Sequence, residues 1–333
     1  MKRLPPLPGE WIDRSRPLRF TFDGRGFEGF AGDTVTSALL AAGQTLLGRS
    51  FKYHRPRSVL GYANTDVNAL VQVGQRLNVR ADVEPLADAL VAGPVNVEFG
   101  GLAGDRLAWL DRFSKAFPAG FYYKAFHAKR WFPTWERLIR RTTGLGRLDL
   151  ATPRLSTAKR YDHADVLVVG GGRAGLHAAL AAAEDGAHVL LVDENARLGG
   201  SAFDARALGP GLEALDALLA QVAAHPRIRT LTSACAAGFY ADHWVPVVTR
   251  EHVVKVRCRA VVVAQGAWEQ PAVFRDNDRP GVMTAGAALR LAHRHAVACG
   301  ERVVVLTANA EGYAAALDLH ALGIAIAAVV DLR

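Results

Sequence analysis

Two patterns in the sequence predict an α/β fold. A glycine-rich turn, Gly170–Gly175, separates a strand from a helix, which is typical of a Rossmann dinucleotide-binding unit. A hairpin followed by a helix in residues 17–42 is typical of a β-grasp domain of the ferredoxin type. With a second strand–helix–strand pattern at 302–330, we predict a Rossmann-type, two-dinucleotide-binding-domain flavoprotein fold preceded by a small β-grasp domain.

Composition and charge narrow the class of protein. Half of the 333 residues are apolar, which is ordinary for a globular protein with room for two or three domains. The sequence shows neither an apolar run of the ~18 residues that span a bilayer nor a secretory signal, so we expect a cytoplasmic protein without membrane contact. Residues 1–160 hold 25 Lys and Arg against 14 Asp and Glu. These charges are dispersed and no nucleic-acid motif accompanies them, so they favour an acidic partner subunit or a phosphorylated cofactor over nucleic acid.

The N-terminal residues 1–104 are assigned to the β-grasp domain. The hairpin turns at Asp23-Gly24, and Asp33 or Thr34 caps a helix that begins at Val35. Two further strands are expected at 68–73 and 77–83. The chain has no cysteine before Cys235, and iron–sulfur clusters are held by Cys thiolates. We therefore expect a β-grasp domain that lacks the cluster cysteines and binds no iron–sulfur cluster.

Residues 105–160 are predicted to connect the two domains. Trp, Phe and Tyr side chains are crowded there among Arg and Lys. The segment either wraps the next domain or docks another subunit, because Trp, Tyr and Arg are frequent interface anchors. Within it, 152–160 reads as a linker. The dinucleotide-binding domain is then assigned to 161–333, and we expect it to be incomplete at its C-terminus.

The remaining elements follow the hydrophobic pattern. Predicted strands lie at 165–169, 188–192, 229–232, 244–249, 260–264, 302–306 and 324–330, and predicted helices at 176–184, 213–224 and 312–322. The strand and turn at 261–271 resemble the segment with which two-dinucleotide-domain flavoproteins return to the first domain. Residues 306–312 lack most of the glycines of a phosphate turn, so we do not expect a second dinucleotide there.

Each glycine of the turn has a physical role in binding pyrophosphate. Gly170 permits the tight turn, Gly172 lets the backbone approach the phosphates, and Gly175 allows close helix–strand packing. The helix N-terminus adds unpaired N–H groups. About twenty residues on, Asp193 or Glu194 is expected to accept from the adenosine ribose, with Asp193 preferred. This acid argues against NADP and leaves NAD and FAD open.

Other chemistry-bearing residues are few. Gly200 and Ser201 belong to a second glycine turn that suits a phosphate or a ribose. Cys235, Cys258 and Cys299 are too widely spaced for a disulfide framework or a thiolate metal site, and we expect buried free thiols. The absence of Cys-x-x-Cys excludes disulfide reductase chemistry. No catalytic group and no metal site is predicted.

Two segments carry a specific resemblance. Phe51–Arg57 and Asp66–Val71 resemble the N-terminal region of the alpha subunits of heterotetrameric sarcosine oxidases, and 119–124 and 327–333 are similar too. The resemblance implies an NAD held on the Rossmann domain, with FMN and FAD in partner subunits or at the interface. It also implies beta, gamma and delta-type partners. The reaction would oxidise sarcosine, a secondary amine, with oxygen to glycine, peroxide and a one-carbon unit that folate captures.

The resemblance also implies particular NAD contacts. Ala236 would contact adenine through its backbone, and the other implied contacts are Ala174, Asp193, Glu194, Asn195 and Ser201. Two alternatives stay open. The chain could be an FAD-binding subunit of an opine, proline or cyanide-forming amino-acid dehydrogenase, or a scaffold subunit whose dinucleotide never turns over. In each case we expect the isolated chain to be inactive.

Overall fold

The computed structural model describes residues 1–66, 68–97, 100–116, 128–143, 150–151, 156–207 and 211–333. The chain divides into two compact units, the first comprising Met1–Thr152 and Gln270–Arg333 and the second Pro153–Glu269. The similar segment 119–124 and linker residues 152–155 lie outside the described residues. None of the described helices has the length and apolar character needed to cross a membrane.

The first unit contains the β-grasp fold. Its strands are β1 (Asp13–Phe22), β2 (Arg25–Ala31), β3 (Gly48–Arg49), β4 (Pro56–Arg57), β5 (Leu70–Val73), β6 (Arg76–Arg80) and β7 (Leu90–Pro94). The main sheet has the order β2-β1-β7-β5-β6, with β1 antiparallel to β2 and parallel to β7, while β3 and β4 pair separately. Helix α1 (Val35–Ala41) packs Leu39 against Phe20, Phe22 and Val71 of the sheet. The predicted hairpin and helix are confirmed.

Thr34 is the residue that caps α1. Its hydroxyl accepts from the Ser37 backbone N–H at 3.1 Å, and the Ser37 hydroxyl accepts from the Thr34 N–H at 2.9 Å. This reciprocal pair is a capping box. The other candidate, Asp33, is buried and instead pairs with Arg3 at 2.8 Å. Two helices follow in the first unit, a 3-10 helix at Arg106–Ala116 and α2 at Phe132–Thr143.

The second unit contains a Rossmann-type sheet. Its strands are β8 (Ala158–Val169), β9 (Val189–Val192), β10 (Ile228–Leu231), β11 (Cys235–Ala236), β12 (Trp244–Val248) and β13 (His252–Val263). The sheet order is β10-β9-β8-β13-β12-β11, in which β8, β9, β10 and β13 are parallel and β11 and β12 are antiparallel additions. The helices are α3 (Arg173–Glu184), α4 (Ser201–Asp204) and α5 (Gly211–Ala224). Leu176 and Leu180 of α3 pack with Val168, Leu191 and Leu215, which confirms the predicted strand–helix–strand core.

The linker prediction fails at its C-terminal end. Residues 158–160 open strand β8, because Ala158 pairs with His252 and Arg160 with Val254 of β13. Polar side chains gave this part of the sequence the composition of a linker, whereas the pairing with β13 holds it extended.

The predicted domain 161–333 also differs from the compact units. Its last part, Gln270–Arg333, belongs to the first unit. Helix α6 (Ala285–His295), which we did not predict, packs Ala288 and Ala292 with Leu4 and Ile12 in one hydrophobic core. The C-terminal strand–helix–strand of β14 (Arg302–Thr307), α7 (Ala310–Ala321) and β15 (Ala325–Asp331) joins the same core through Leu319.

The cysteines are free thiols, but the prediction that all are buried is wrong. Cys235 is exposed because it lies on β11, at the edge of the sheet. Cys258 and Cys299 are partly buried, and this burial raises the pKa of both thiols.

Candidate dinucleotide-binding site

Gly170 ends strand β8 at a point where no side chain fits. Its φ is +105°, in the region that favours glycine, and a Cβ would lie 2.3 Å from the Ala264 carbonyl oxygen. The Gly170 N–H donates to the Val192 carbonyl at 2.8 Å, so the ends of β8 and β9 are tied together. The turn therefore opens at the carboxyl ends of the parallel strands, where α/β sheets bind ligands.

Gly175 lets helix α3 approach the turn closely. A Cβ there would lie 1.8 Å from the Gly170 carbonyl oxygen, a distance that no structure accommodates. Ala264, directly after β13, packs beneath this contact, and its N–H donates to the Val169 carbonyl at 2.8 Å. The first and third glycines are thus required by the fold itself.

Gly172 differs from these two because the space before it is open. It is the N-cap of α3, with φ −74°, and a Cβ there would meet only the Gly200 Cα, at 3.9 Å. No side chain caps this helix end. The first N–H groups of a helix have no intrahelical partner and carry a partial positive charge, so this end suits a pyrophosphate. The residues present therefore fit a dinucleotide.

The second glycine turn lies against the first. The Gly199 N–H donates to the Gly171 carbonyl at 2.8 Å, and Gly200, with φ +55°, faces Gly172. Ser201, the first residue of α4, is exposed, as is Ala174 in the first turn of α3. The structure thus brings together Gly170, Gly172, Ala174, Gly175, Gly200 and Ser201.

Asp193 is buried and already occupied by hydrogen bonds. Its Oδ2 accepts from the Gly171 N–H at 2.6 Å, and its Oδ1 accepts from the backbone and side-chain nitrogens of Asn195 at 2.7 and 2.9 Å. The neighbouring Glu194 is exposed. The carboxylate of Asp193 thus holds the turn in shape, whereas that of Glu194 is open to a ligand.

The segment before Ala236 is hydrogen-bonded to the residues that follow strand β9. The Asn195 carbonyl accepts from the Ser233 N–H at 2.8 Å, and the Asp193 carbonyl accepts from the Ala234 N–H at 3.0 Å. Ala236 follows two residues later on β11, paired with Val247 of β12. The segment that leads to Ala236 therefore passes beside the site, while Ala236 itself belongs to the sheet edge.

One cation at the site escaped the sequence analysis. Arg173 is the first residue of α3, is exposed, and makes no ion pair or side-chain hydrogen bond with the described residues. A cation is unfavourable at the positive N-terminus of a helix. Its presence directly after the glycines is the signal that could have identified it as a phosphate ligand.

The C-terminal strand–helix–strand offers no comparable cradle. Asn309 caps α7, its side chain accepting from the Glu311 N–H at 3.1 Å. A Cβ at Gly312 would lie 2.2 Å from Thr307 Oγ1, so this glycine serves close packing. The helix end that a phosphate would need is already occupied by the Asn309 side chain.

Two segments match known protein families. Residues 15–96 match the family described as 2Fe-2S iron-sulfur cluster binding domain, and residues 165–262 match the family described as FAD dependent oxidoreductase. The first segment contains no cysteine, so its residues do not fit an iron–sulfur cluster. The second contains the Gly170–Gly175 turn.

Two sarcosine oxidase alpha subunits are similar to nearly the whole chain. The chain is 39% identical to the alpha subunit of sarcosine oxidase from Rhizobium meliloti (strain 1021), over 97% of this chain and 35% of that protein. It is 34% identical to the corresponding protein of Corynebacterium sp. (strain P-1), over 98% and 31%. The chain therefore spans about a third of the length of these relatives. One opine oxidase component, from Agrobacterium tumefaciens (strain Ach5), is 35% identical over 38% of this chain and 28% of its own length.

A solved structure has the same fold. L-proline dehydrogenase from P. horikoshii aligns with a TM-score of 0.69 and 19% identity, over 96% of this chain and 54% of that chain.

Proposed function

We propose a function from the family to which the chain belongs, that of the sarcosine oxidase alpha subunits. The chain is the NAD-binding alpha-type subunit, or part of one, of a flavin-dependent secondary-amine oxidase. In this proposal the complex oxidises sarcosine to glycine with release of peroxide, and folate captures the one-carbon unit. FMN and FAD are bound by beta, gamma or delta-type partners or at their interfaces with this chain. No described residue is assigned to the amine or folate sites.

The open cradle at Gly172 carries the dinucleotide part of this proposal. The uncapped N-terminus of α3 would donate backbone N–H groups to the pyrophosphate, and the exposed Arg173 would add a charge-assisted contact. Gly200 and Ser201 would border the same phosphates from the second turn. Each of these groups lies in the second compact unit.

The acid after β9 supports NAD over NADP. We propose that Glu194 accepts from the adenosine ribose hydroxyls, because it is exposed while Asp193 is engaged by Gly171 and Asn195. A 2′-phosphate would bring negative charge beside both carboxylates. Asn195 and the segment before Ala236 would border the adenosine.

FAD is the second candidate for this cradle. The match of residues 165–262 to an FAD-dependent oxidoreductase family favours it, and FAD presents the same free adenosine ribose as NAD. The chain would then be the FAD-binding subunit of an opine, proline or cyanide-forming amino-acid dehydrogenase.

The nucleotide released from the denatured protein separates these proposals. We expect NAD in about one equivalent per chain, whereas FAD would favour the dehydrogenase subunit. Titration of nucleotide-free protein with NAD and NADP should show clear preference for NAD, and equal affinities would contradict the role of Glu194. Reduction of bound NAD on adding sarcosine would argue for turnover, while an unreactive dinucleotide would argue for a scaffold.

A further inference from the structure

Helix α2 and Trp131, just before it, carry large apolar side chains that are exposed. Trp131 and Leu138 are 59% and 51% exposed, and Phe132 is 52% exposed. The Trp135 N–H donates to the Trp131 carbonyl at 3.0 Å, so helical spacing extends back to Trp131. At 100° per residue, Trp131, Trp135 and Leu138 lie on one side of the helix. Large apolar side chains grouped in this way favour burial against another surface.

Basic side chains flank this apolar side of the helix. Arg137 and Arg141 are exposed and form no ion pair with the described residues, and the same holds for Lys129 and Arg130 just before the helix. The single carboxylate of the helix, Glu136, pairs with Arg140. Four cations are therefore available to carboxylates of another molecule, at the edge of an apolar stripe.

We propose that α2 docks onto another subunit of the complex, through an apolar groove on that subunit with an acidic rim. The apolar stripe would enter the groove as a helix face does, and Arg137 and Arg141 would meet the rim. Tryptophan and arginine are the residue types that most often dominate interface energies. The inference rests on the proposed function in one respect, that the partner is a subunit of the same oxidase.

A protein groove suits this helix better than a lipid surface does. Interfacial helices bind membranes in proportion to the apolar area that they bury, and many are 20–30 residues long. Helix α2 has 12 residues, about three turns, and among the described residues the helix and the residue before it carry four large apolar side chains that are exposed, namely Trp131, Phe132, Trp135 and Leu138. A closely fitting groove provides packing contacts that a fluid lipid surface does not provide.

Hydrogen exchange on the isolated chain and on the assembled complex tests this proposal. Amides of residues 132–143 should exchange at least about tenfold more slowly in the complex than in the isolated chain. Equal rates in the two samples would overturn the proposal. So would slow exchange already present in the isolated chain, because the chain itself would then cover the helix.

A pair of matched leucine variants locates the contact. Leu138→Glu places a charge in the proposed interface, and Leu317→Glu makes the same change on α7, where the leucine is 60% exposed. Leu138→Glu should weaken assembly by about 30-fold or more, the loss typical of an interface hot spot, while Leu317→Glu should assemble normally. Circular dichroism of the isolated variants checks that both fold. Equal assembly of the two variants would contradict the proposal.

Two further measurements exclude other occupants. Binding of the isolated chain to phosphatidylglycerol vesicles through α2 would indicate a membrane surface instead. Self-association of the isolated chain that Leu138→Glu abolishes would indicate a second copy. The nucleotide content of each variant reports separately on the proposed function, because the Gly172 cradle is built from residues of the second compact unit.

Discussion

Of Gly170, Gly172 and Gly175, only Gly172 could carry a side chain without a clash inside the folded chain. Its Cβ would be accommodated, with the Gly200 Cα 3.9 Å away, and its φ is ordinary. A larger side chain there would occupy the space before the helix N-terminus. Gly172→Val should therefore weaken dinucleotide binding by more than about 100-fold, because the backbone could no longer lie close to the pyrophosphate. The melting temperature of the nucleotide-free protein should stay close to that of the wild type.

Gly175→Ala is the control for this substitution. Its Cβ would lie 1.8 Å from the Gly170 carbonyl, so this variant should unfold at a lower temperature even without nucleotide. If Gly172→Val retains full affinity, the phosphates do not lie where we propose.

Substitutions of the two neighbouring acids should affect different properties, the stability of the fold for Asp193 and the affinity for NAD for Glu194. Asp193→Ala leaves the buried N–H of Gly171 without an acceptor, and should cost about 1–3 kcal/mol of unfolding free energy. Glu194→Ala removes an exposed side chain and should leave stability unchanged. It should weaken the binding of NAD by about 10- to 100-fold, because charge-assisted hydrogen bonds contribute about 1.5–3 kcal/mol. The difference between the affinities for NAD and NADP should become smaller. Urea unfolding and nucleotide titration measure the two effects. Retention of full NAD affinity in Glu194→Ala would contradict its role.

At the scale of single residues, sequence spacing alone located the glycines of the turn. It could not tell that Asp193 is engaged in hydrogen bonds while Glu194 is exposed. Gly170, Gly172 and Gly175 follow from a local rule that links a turn to a helix. The hydrogen bond from Gly171 to Asp193 joins residues 22 positions apart. It depends on how β8 and β9 are placed side by side, which no local pattern encodes.

At the scale of elements, the β-grasp domain contains a buried acid whose titration opposes folding. Asp82 is 4% exposed, and burial followed by the charge of Asp66 raises its pKa well above the usual value. Asp66 itself accepts backbone hydrogen bonds from Leu60, Gly61, Tyr62 and Asn68. Because the pKa of Asp82 is higher in the folded than in the unfolded state, its favourable contribution is present at low pH and is lost as the pH rises.

Asp82→Asn removes this titration. The variant should be more stable than the wild type at pH ~7.5, with a difference that shrinks toward pH ~4, because only the wild type must ionise a buried carboxyl. Urea midpoints at the two pH values measure it. Asp23→Asn, an exposed change in the hairpin turn, should show little difference at either pH. If Asp82→Asn increased the free energy of unfolding equally at both pH values, the pKa of the Asp82 carboxyl would not be raised.

Helix α6 shows why the domain assignment could not follow from the sequence. Its buried positions include His293, Arg294 and His295 beside small alanines, so residue type does not mark this face as part of a hydrophobic core. The Arg294 guanidinium lies 4.5 Å from the ring centroid of Trp11, and the Arg3 guanidinium donates to the His295 carbonyl at 2.6 Å. Contacts with the first residues of the chain therefore place α6 in the first unit. Helix α3, in contrast, directly follows the glycine-rich turn, and this local signal was sufficient to predict it.

At the scale of the whole molecule, the β-grasp fold is retained without its metal ligands. The first unit has the sheet and helix of a ferredoxin-like domain, yet residues 1–234 contain no cysteine. We expect the purified protein to contain no acid-labile sulfide and no iron–sulfur signal on reduction with dithionite. Stoichiometric sulfide in protein separated from its partner subunits would contradict this prediction.

The central claim is that a dinucleotide binds on the Gly170–Gly175 turn, and an experimental structure of the NAD-saturated protein tests it most directly. We predict pyrophosphate oxygens within hydrogen-bond distance of the backbone N–H groups at the start of α3, between Gly172 and Gly200. The adenosine ribose hydroxyls should then donate hydrogen bonds to the carboxylate of Glu194. A dinucleotide bound at 307–312, or an empty turn under saturating NAD and FAD, would contradict the account.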